Sequence, residues 1–348
     1  MKFPLADWID QHPDCRHNLA KSGMAGSVDH PVPSASAPRT ADPARLRREL
    51  ARSVGVPVER LFLMHGATEG NAWVMHYLAG HHRSRAGVCR VRLPEYPMLF
   101  DGPRAAGFRV VTDRRPTDLA VLSLPRNPEG VDWTNARLEE WAAGARHLLL
   151  DETFREFGHL RSRATLDRHG VWTTGTFTKF YGGDDLRVGY VTVPEAERDG
   201  FARFVGLFSD EIAPASVAGA LLTLERSAAF HRRVDRVMAR NRAALARAFP
   251  GGPVPVGPVW FDRFAGIDTQ RLARRLVRRS VLVCPGSYFG DPTGVRLCLT
   301  RRTFGADLAA YLAGCPPREI GTEAIERGAR RTARPGHAGN ARAPVGRA

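Results

Sequence analysis

The sequence predicts an α/β protein: a mostly parallel central sheet covered by helices on both faces, followed by a smaller α+β C-terminal domain. Three observations predict it. Between residues 61 and 193, seven short apolar runs (61–64, 88–93, 108–111, 119–124, 147–150, 171–175 and 188–193) alternate with amphipathic stretches, such as the one carrying Leu138, Trp141 and Ala145. The runs lack polar alternation, as expected of strands buried on both faces. Residues 254–312 then give strand, helix, strand, strand and helix signals, and the periodicity stops after Cys315.

Taken in order, residues 1–41 form a loop-rich arm that ends in a Pro/Ser/Ala stretch at 31–38. Asp42-Pro43 opens a helix as N-cap and first-turn proline, Leu46 and Leu50 share one face, and Gly55 closes it. A large domain is expected over 42–215. Residues 216–249 read as one long helix, and 216–315 as that interdomain helix plus the small domain. Residues 316–348 hold seven Arg against three Glu and no core-forming pattern, the composition of a disordered basic tail.

Composition bounds the function classes. The 43% hydrophobic and 25% charged content is that of a globular chain, and no apolar run approaches membrane-spanning length. The N-terminus lacks the basic-then-apolar order of a signal peptide. Five scattered cysteines without a Cys-x-x-Cys pair argue for reduced thiols in a cytoplasm and against a zinc site. The net charge of +15 is spread along the chain rather than gathered in a motif, so no nucleic-acid partner is expected. Of 51 basic residues only three are lysines: Lys2, Lys21 and Lys179. Where a generic cation suffices this chain uses Arg, so a persisting Lys is a candidate for losing its proton and attacking a carbonyl.

The chemistry gathers around Thr176-Phe177-Thr178-Lys179 and Arg187-Val188-Gly189, between the runs at 171–175 and 188–193. An amine, two hydroxyls and a guanidinium near a strand end suit an aldehyde cofactor bearing a phosphate. Leu148-Leu149-Leu150-Asp151 ends a buried strand in an acid, and a buried carboxylate needs a cationic partner such as a protonated ring nitrogen; a helix cap or ordinary ion pair is the plainer reading. Gly66-Ala67-Thr68-Glu69 opens a helix whose free N–H groups form an anion site. Asn127-Pro128-Glu129-Gly130 is a turn after another strand, and Tyr96 in Pro94-Glu95-Tyr96-Pro97 can stack on a ring.

In this order, from Asp42 to Leu312, these motifs resemble the fold-type I pyridoxal-phosphate enzymes, specifically the class I/II aminotransferases and their histidinol-phosphate-aminotransferase-like branch. The resemblance implies the three-layer PLP-transferase (aspartate aminotransferase) fold and pyridoxal 5′-phosphate as cofactor. It implies Lys179 as the Schiff-base lysine and Asp151 as the partner of the pyridine nitrogen. It also implies Asn127 at the ring 3-oxygen, Tyr96 stacked on the ring, and Ala67, Thr68, Thr176, Thr178 and Arg187 around the phosphate. Arg296, in Gly294-Val295-Arg296-Leu297, matches the arginine that grips the substrate α-carboxylate. The segment 18–24, with Gly23, lies where the family lines the substrate entrance. The implied reaction moves an amino group between an amino acid and a 2-oxo acid, in a homodimeric biosynthetic enzyme.

Two departures stand out. The family's tyrosine three residues after the aspartate is Phe154 here, which keeps the packing but loses a donor to the 3-oxygen. The family often lends a tyrosine to the partner subunit's phosphate from the segment matching residues 34–41, and none occurs there. Both open the alternative of a lyase, decarboxylase or cyclase acting on an amino acid through the same cofactor. A cofactor-binding transcription regulator is disfavoured, because residues 1–41 show no helix-turn-helix pattern. His76, His81 and His82 crowd a helix end, where cations suit the dipole, and no metal is expected. Asp184-Asp185 reads as a solvated loop and Cys284 as a buried small-domain residue. Lys21 reads equally as a solvated side chain or as a contact for an acidic substrate group.

Overall fold

The computed structural model describes residues 4–24, 26–27, 41–81 and 86–316, and the described residues up to Gly314 form one compact unit. The expected tail, His82 and the segment 34–40 therefore lie outside the described residues.

The chain opens with helix α1 (Pro4–Asp10), which the sequence reading missed, and a short strand β1 (His17–Asn18). Helix α2 (Pro43–Val54) starts and stops where its caps dictate: Asp42 accepts a hydrogen bond from the Arg45 N–H, and Gly55 takes the left-handed conformation at φ +82°. Then come β2 (Leu61–Met64), α3 (Ala67–Ala79), β3 (Val88–Val91), α4 (Pro97–Ala105), β4 (Arg109–Val111) and β5 (Thr117–Ser123). They are followed by α5 (Asn135–Ala142), β6 (Ala145–Asp151), β7 (Val171–Thr176) and β8 (Gly189–Thr192).

Strands β2 to β8 form one seven-stranded sheet in the order β2-β8-β7-β6-β5-β3-β4. All its pairings are parallel except those of β8, which runs antiparallel to both β2 and β7. The reason is the connection. No crossover helix separates β7 from β8, so the chain returns directly, and the Lys179 loop is that return. Alternate residues explain the unbroken apolar runs. Leu119, Val121 and Leu149 join the core under α3 and α4, while Ala120, Leu122, Leu148 and Leu150 join Trp133, Leu138 and Trp141 beneath α5. Both faces are covered, so neither set of positions tolerates a polar residue.

Helices α6 (Arg198–Val205), α7 (Pro214–Glu225) and α8 (Ser227–Ala248) follow. The single helix expected over 216–249 is two, broken at Arg226, whose ψ of 8° turns the chain. The two halves serve different neighbours: α7 packs on α2, whereas α8 packs on the last helix, α10 (Phe304–Gly314). Between them lie β9 (Val259–Arg263), α9 (Thr269–Val277), β10 (Val281–Leu282), β11 (Cys284–Pro285) and β12 (Gly294–Cys298). Strand β12 is central in an antiparallel sheet ordered β11-β12-β9, and β1 pairs with β10. A strand of the smaller C-terminal part outside that sheet thus holds on to the N-terminal arm. No helix among the described residues is long and apolar enough to cross a membrane.

Candidate active site

The residues singled out in the sequence meet in one cavity of about 420 Å³ at the C-terminal end of the parallel strands. Lys179, Asp151, Ala67, Thr68, Tyr96, Asn127, Thr176, Thr178, Arg187, Arg296 and Gly23 all line it.

Asp151 ends β6 and is buried. Its carboxylate accepts hydrogen bonds from Asn71 Nδ2 at 2.8 Å and from the Thr153 N–H at 2.9 Å. Asn71 is held in turn by the Thr174 hydroxyl at 2.9 Å. No cation among the described residues pairs with Asp151, and burial pushes its carboxyl up, against the pull of Thr153, Asn71 and Lys179. A buried acid with two donors and no counter-charge is half of an ion pair.

Lys179 follows β7 in the return loop, and its backbone carbonyl accepts the Met24 N–H at 2.9 Å. Loss of solvation lowers its amine's pKa, opposed by the charge of Asp184. Such an amine gives up its proton more readily than a surface lysine.

The phosphate end is made of backbone as much as side chains. The N-cap of α3 is Gly66, with φ +99° and no side-chain cap, so the first N–H groups of the helix keep their hydrogens free. A Cβ there would sit 3.5 Å from Arg187 Nη2 and fill the cradle. A Cβ at Gly189 would come within 2.6 Å of the Gly66 carbonyl carbon, so that close approach requires glycine at 189, while the positive φ favours glycine at 66. Thr176 and Thr178 hydroxyls bond each other at 2.9 Å. Arg187 adopts φ +50°, a left-handed conformation that costs a non-glycine residue about 1–2 kcal/mol, and its guanidinium reaches the His65 carbonyl at 3.4 Å.

On the opposite wall Arg296, from β12, donates to Asn127 Oδ1 at 3.2 Å and to the Ala20 carbonyl at 2.7 Å, while its Nε is buried without a partner. Tyr96 lies between strand ends, its hydroxyl pushed up to about 12 by burial. The preceding Glu95 fixes it. That fully buried carboxylate accepts the Tyr96 N–H at 2.7 Å and the Ser123 N–H at 2.9 Å, and it pairs with Arg126, so one ion pair sets the loops of both Tyr96 and Asn127.

The sequence reading missed Asn71, which braces Asp151 from outside the cavity lining, and the contribution of helix α1. Asn71 sits on the buried face of α3 with Val74, Met75 and Leu78, and a polar residue on an apolar stripe was its only signal. Helix α1 contributes Leu5, Ala6, Ile9 and Asp10. Asp184, expected on a solvated loop, is exposed yet lines the cavity, as does Lys21. Phe154 is buried in the wall.

At the other end of the sheet His81, His147 and Glu197 bring potential ligand atoms within 4.8 Å of one another; His76 is not among them. Their polar atoms already have work. Trp172 Nε1 donates to His147 Nδ1 at 3.3 Å, and Tyr77 donates to Glu197 at 2.8 Å. Burial pushes His147 down to about 4, so the neutral ring carries its proton on Nε2, 3.9 Å from Glu197.

An uncompensated acid, a desolvated lysine, a helix N-terminus flanked by two hydroxyls and a guanidinium, and a glycine-lined cradle fit pyridoxal 5′-phosphate and define a PLP-dependent enzyme of the aspartate-aminotransferase fold. The family profile described as aminotransferase class I and II matches residues 108–304, and the chain belongs to that family. It is 33% identical to capreomycidine synthase of Streptomyces vinaceus over 243 residues, 64% of this chain and 59% of that protein. It is 27% identical to the 3-methylarginine biosynthesis aminotransferase ArgM of Streptomyces arginensis over 299 residues, 76% and 78% of the two chains. The solved structure of the PLP-dependent cyclase OrfR superposes with a TM-score of 0.73 at 22% identity, covering 96% of this chain and 98% of that one. Capreomycidine synthase is thus matched over less than two thirds of its length.

Proposed function

We propose that this chain transfers the amino group of an α-amino acid to a 2-oxo acid, working as a homodimer. The observation that carries the reading is that Lys179, Asp151 and Arg296 line one cavity. When bound there, pyridoxal phosphate supplies an electrophilic aldehyde and an electron-accepting ring. Lys179 would hold the cofactor through its amine, and that amine, when free, would serve as general base and acid toward the substrate α-carbon. Its lowered pKa keeps the amine ready for that work. Asp151 would be the counter-charge to the cofactor's ring nitrogen, and Asn71 and Thr153 keep its carboxylate aimed. Arg187, Thr176, Thr178 and the N–H groups of Ala67 and Thr68 would hold the phosphate. Tyr96 and Asn127, which line the cavity, would hold the cofactor ring by packing and by a hydrogen bond. Arg296 would bind the substrate carboxylate and so orient the α-carbon toward Lys179. Gly23 leaves the entrance open: a Cβ there would lie 3.8 Å from Lys179 Cδ. The role of ArgM as an aminotransferase in an amino-acid pathway supports the reading.

A second reading, a lyase, decarboxylase or cyclase on an amino acid, is favoured by one residue. Phe154 presents no hydroxyl to the cavity it lines. The names capreomycidine synthase and PLP-dependent cyclase lend it weight. One experiment separates the two. The purified protein, loaded with pyridoxal phosphate, is given amino acids with and without 2-oxo acids, and products are identified by mass spectrometry. Conversion that requires the oxo acid and yields its amino acid supports transamination. Product formed without an acceptor rejects it in favour of the second reading.

A further inference from the structure

We propose that Glu95 is a positioning residue for the cofactor: its buried carboxylate holds Tyr96 directly, and Asn127 through the Ser123 hydroxyl, where both meet the ring. The proposal rests on the fit of pyridoxal phosphate to the cavity and holds for either reaction.

Glu95 lies outside the cavity lining, and its side chain is 0% exposed. Four donors converge on its carboxylate. Oε1 accepts the Tyr96 N–H at 2.7 Å and the Ser123 hydroxyl, while Oε2 accepts the Ser123 N–H at 2.9 Å and Arg126 Nη1. Four donors fit a carboxylate anion and not the acid, whose own O–H would face one of them. Arg126 supplies the counter-charge, and its other amino group is held by the Arg92 carbonyl at 3.0 Å and the Pro94 carbonyl. The Glu95 N–H donates to the Phe289 carbonyl at 3.0 Å, which pins the backbone as well.

Ser123 passes the constraint on. Its hydroxyl donates to Glu95 and accepts the Asn127 N–H at 2.8 Å. At the far end of that residue, Asn127 Oδ1 accepts from Arg296 Nη1 at 3.2 Å. Arginine only donates, so the amide cannot turn the other way round. With Oδ1 taken, Nδ2 is left as a donor on a side chain that lines the cavity, ready for an acceptor oxygen inside it. Arg296 meets the same frame a second time, its guanidinium carbon 4.9 Å from the centre of the Phe289 ring.

A buried ion pair that served stability alone could be exchanged for uncharged residues of similar size at little cost. A pair that sets two cavity residues cannot, and that difference can be measured.

The test compares the wild type with Ser123→Ala, which removes only the hydroxyl link. A double variant, Glu95→Gln with Arg126→Met, removes both charges and leaves neither buried alone. Each protein is titrated with pyridoxal phosphate, and the pH midpoint of the bound cofactor's absorbance is recorded. Circular dichroism of the cofactor-free proteins gives their thermal midpoints. Both variants should bind the cofactor about tenfold more weakly, the effect of one lost hydrogen bond. Their absorbance midpoint should move up by about one unit, because a displaced Asn127 donor stabilises the ring 3-oxygen anion less. If the double variant does not fold, Ser123→Ala decides alone. The proposal is overturned if Ser123→Ala keeps the wild-type affinity and absorbance midpoint, whatever its thermal midpoint, since Glu95 would then serve the fold only. A wild type that shows no absorbance from bound cofactor overturns the fit of the cofactor as well, so the two failures are told apart.

Discussion

The floor of the cavity and its rim are built by opposite means. The floor is made of strand ends and a helix N-terminus: Asp151 closes β6, Thr176 closes β7, and Ala67 opens α3, each fixed by a sheet that is buried on both faces. The rim is made of α1, the segment 20–23 and the loop of Asp184, with Asp10, Lys21 and Asp184 all exposed. A rigid, desolvated floor suits groups that must keep one geometry and a shifted pKa whatever the substrate. A solvated rim contributes little to catalysis and can change its residues at small cost to the fold. The contrast teaches that the buried floor and the exposed rim are separable parts of the molecule.

That separation breaks most visibly at Lys179. Lys179→Ala should lower turnover about 10³-fold or more for every substrate, measured as steady-state rates across an amino-acid panel. A loss confined to some substrates would place Lys179 in the rim's role.

Asp151 gives the next effect, and it depends on pH. Its folded pKa is raised by burial, so over the window from the ordinary carboxylate range up to that raised value the folded apo protein binds more protons than the unfolded chain. Apo stability should therefore fall as pH rises through that window. Asp151→Asn should lose this contribution, and bound cofactor should oppose it by supplying a cation. Urea melts stepped upward in pH from the ordinary carboxylate range read the slope. A slope shared by wild type and Asp151→Asn would mean that Asp151 is already paired.

Asn71 sharpens the comparison within the floor. Asn71→Ala removes one hydrogen bond to the Asp151 carboxylate and leaves Thr174 without its acceptor. Cofactor affinity should drop about tenfold, read by equilibrium titration, with the order of preferred amino acids retained. The smallest effect is expected at the rim: Lys21→Ala should change kcat/KM for any accepted amino acid by about twofold or less, because its charge is exposed and screened.

The same contrast decides what could be read without coordinates. Strand ends are legible because an apolar run such as Leu148-Leu149-Leu150 stops at a polar residue, so Asp151, Asn127 and Lys179 announce themselves by position. The rim has no such period. Helix α1 spans only seven residues, with Asp7 and Asp10 among them, and its amphipathic signal is too short to register. Asp184 beside Asp185 in a glycine loop looks like solvent-facing polarity, and only tertiary folding brings it beside Lys179. Asn71 was hidden differently: in a helix a lone Asn reads as surface until the Asp151 carboxylate is seen across from it. The break at Arg226 is also tertiary, since the pattern over 216–249 is helical throughout and only the separate neighbours of α7 and α8 require a turn.

The central claim is tested most directly by borohydride reduction of the protein loaded with pyridoxal phosphate, followed by peptide mass spectrometry. The account predicts a single cofactor-modified peptide, with the modification on Lys179. A protein that takes up no label, or takes it on Lys2 or Lys21 with Lys179 unmodified, would contradict it.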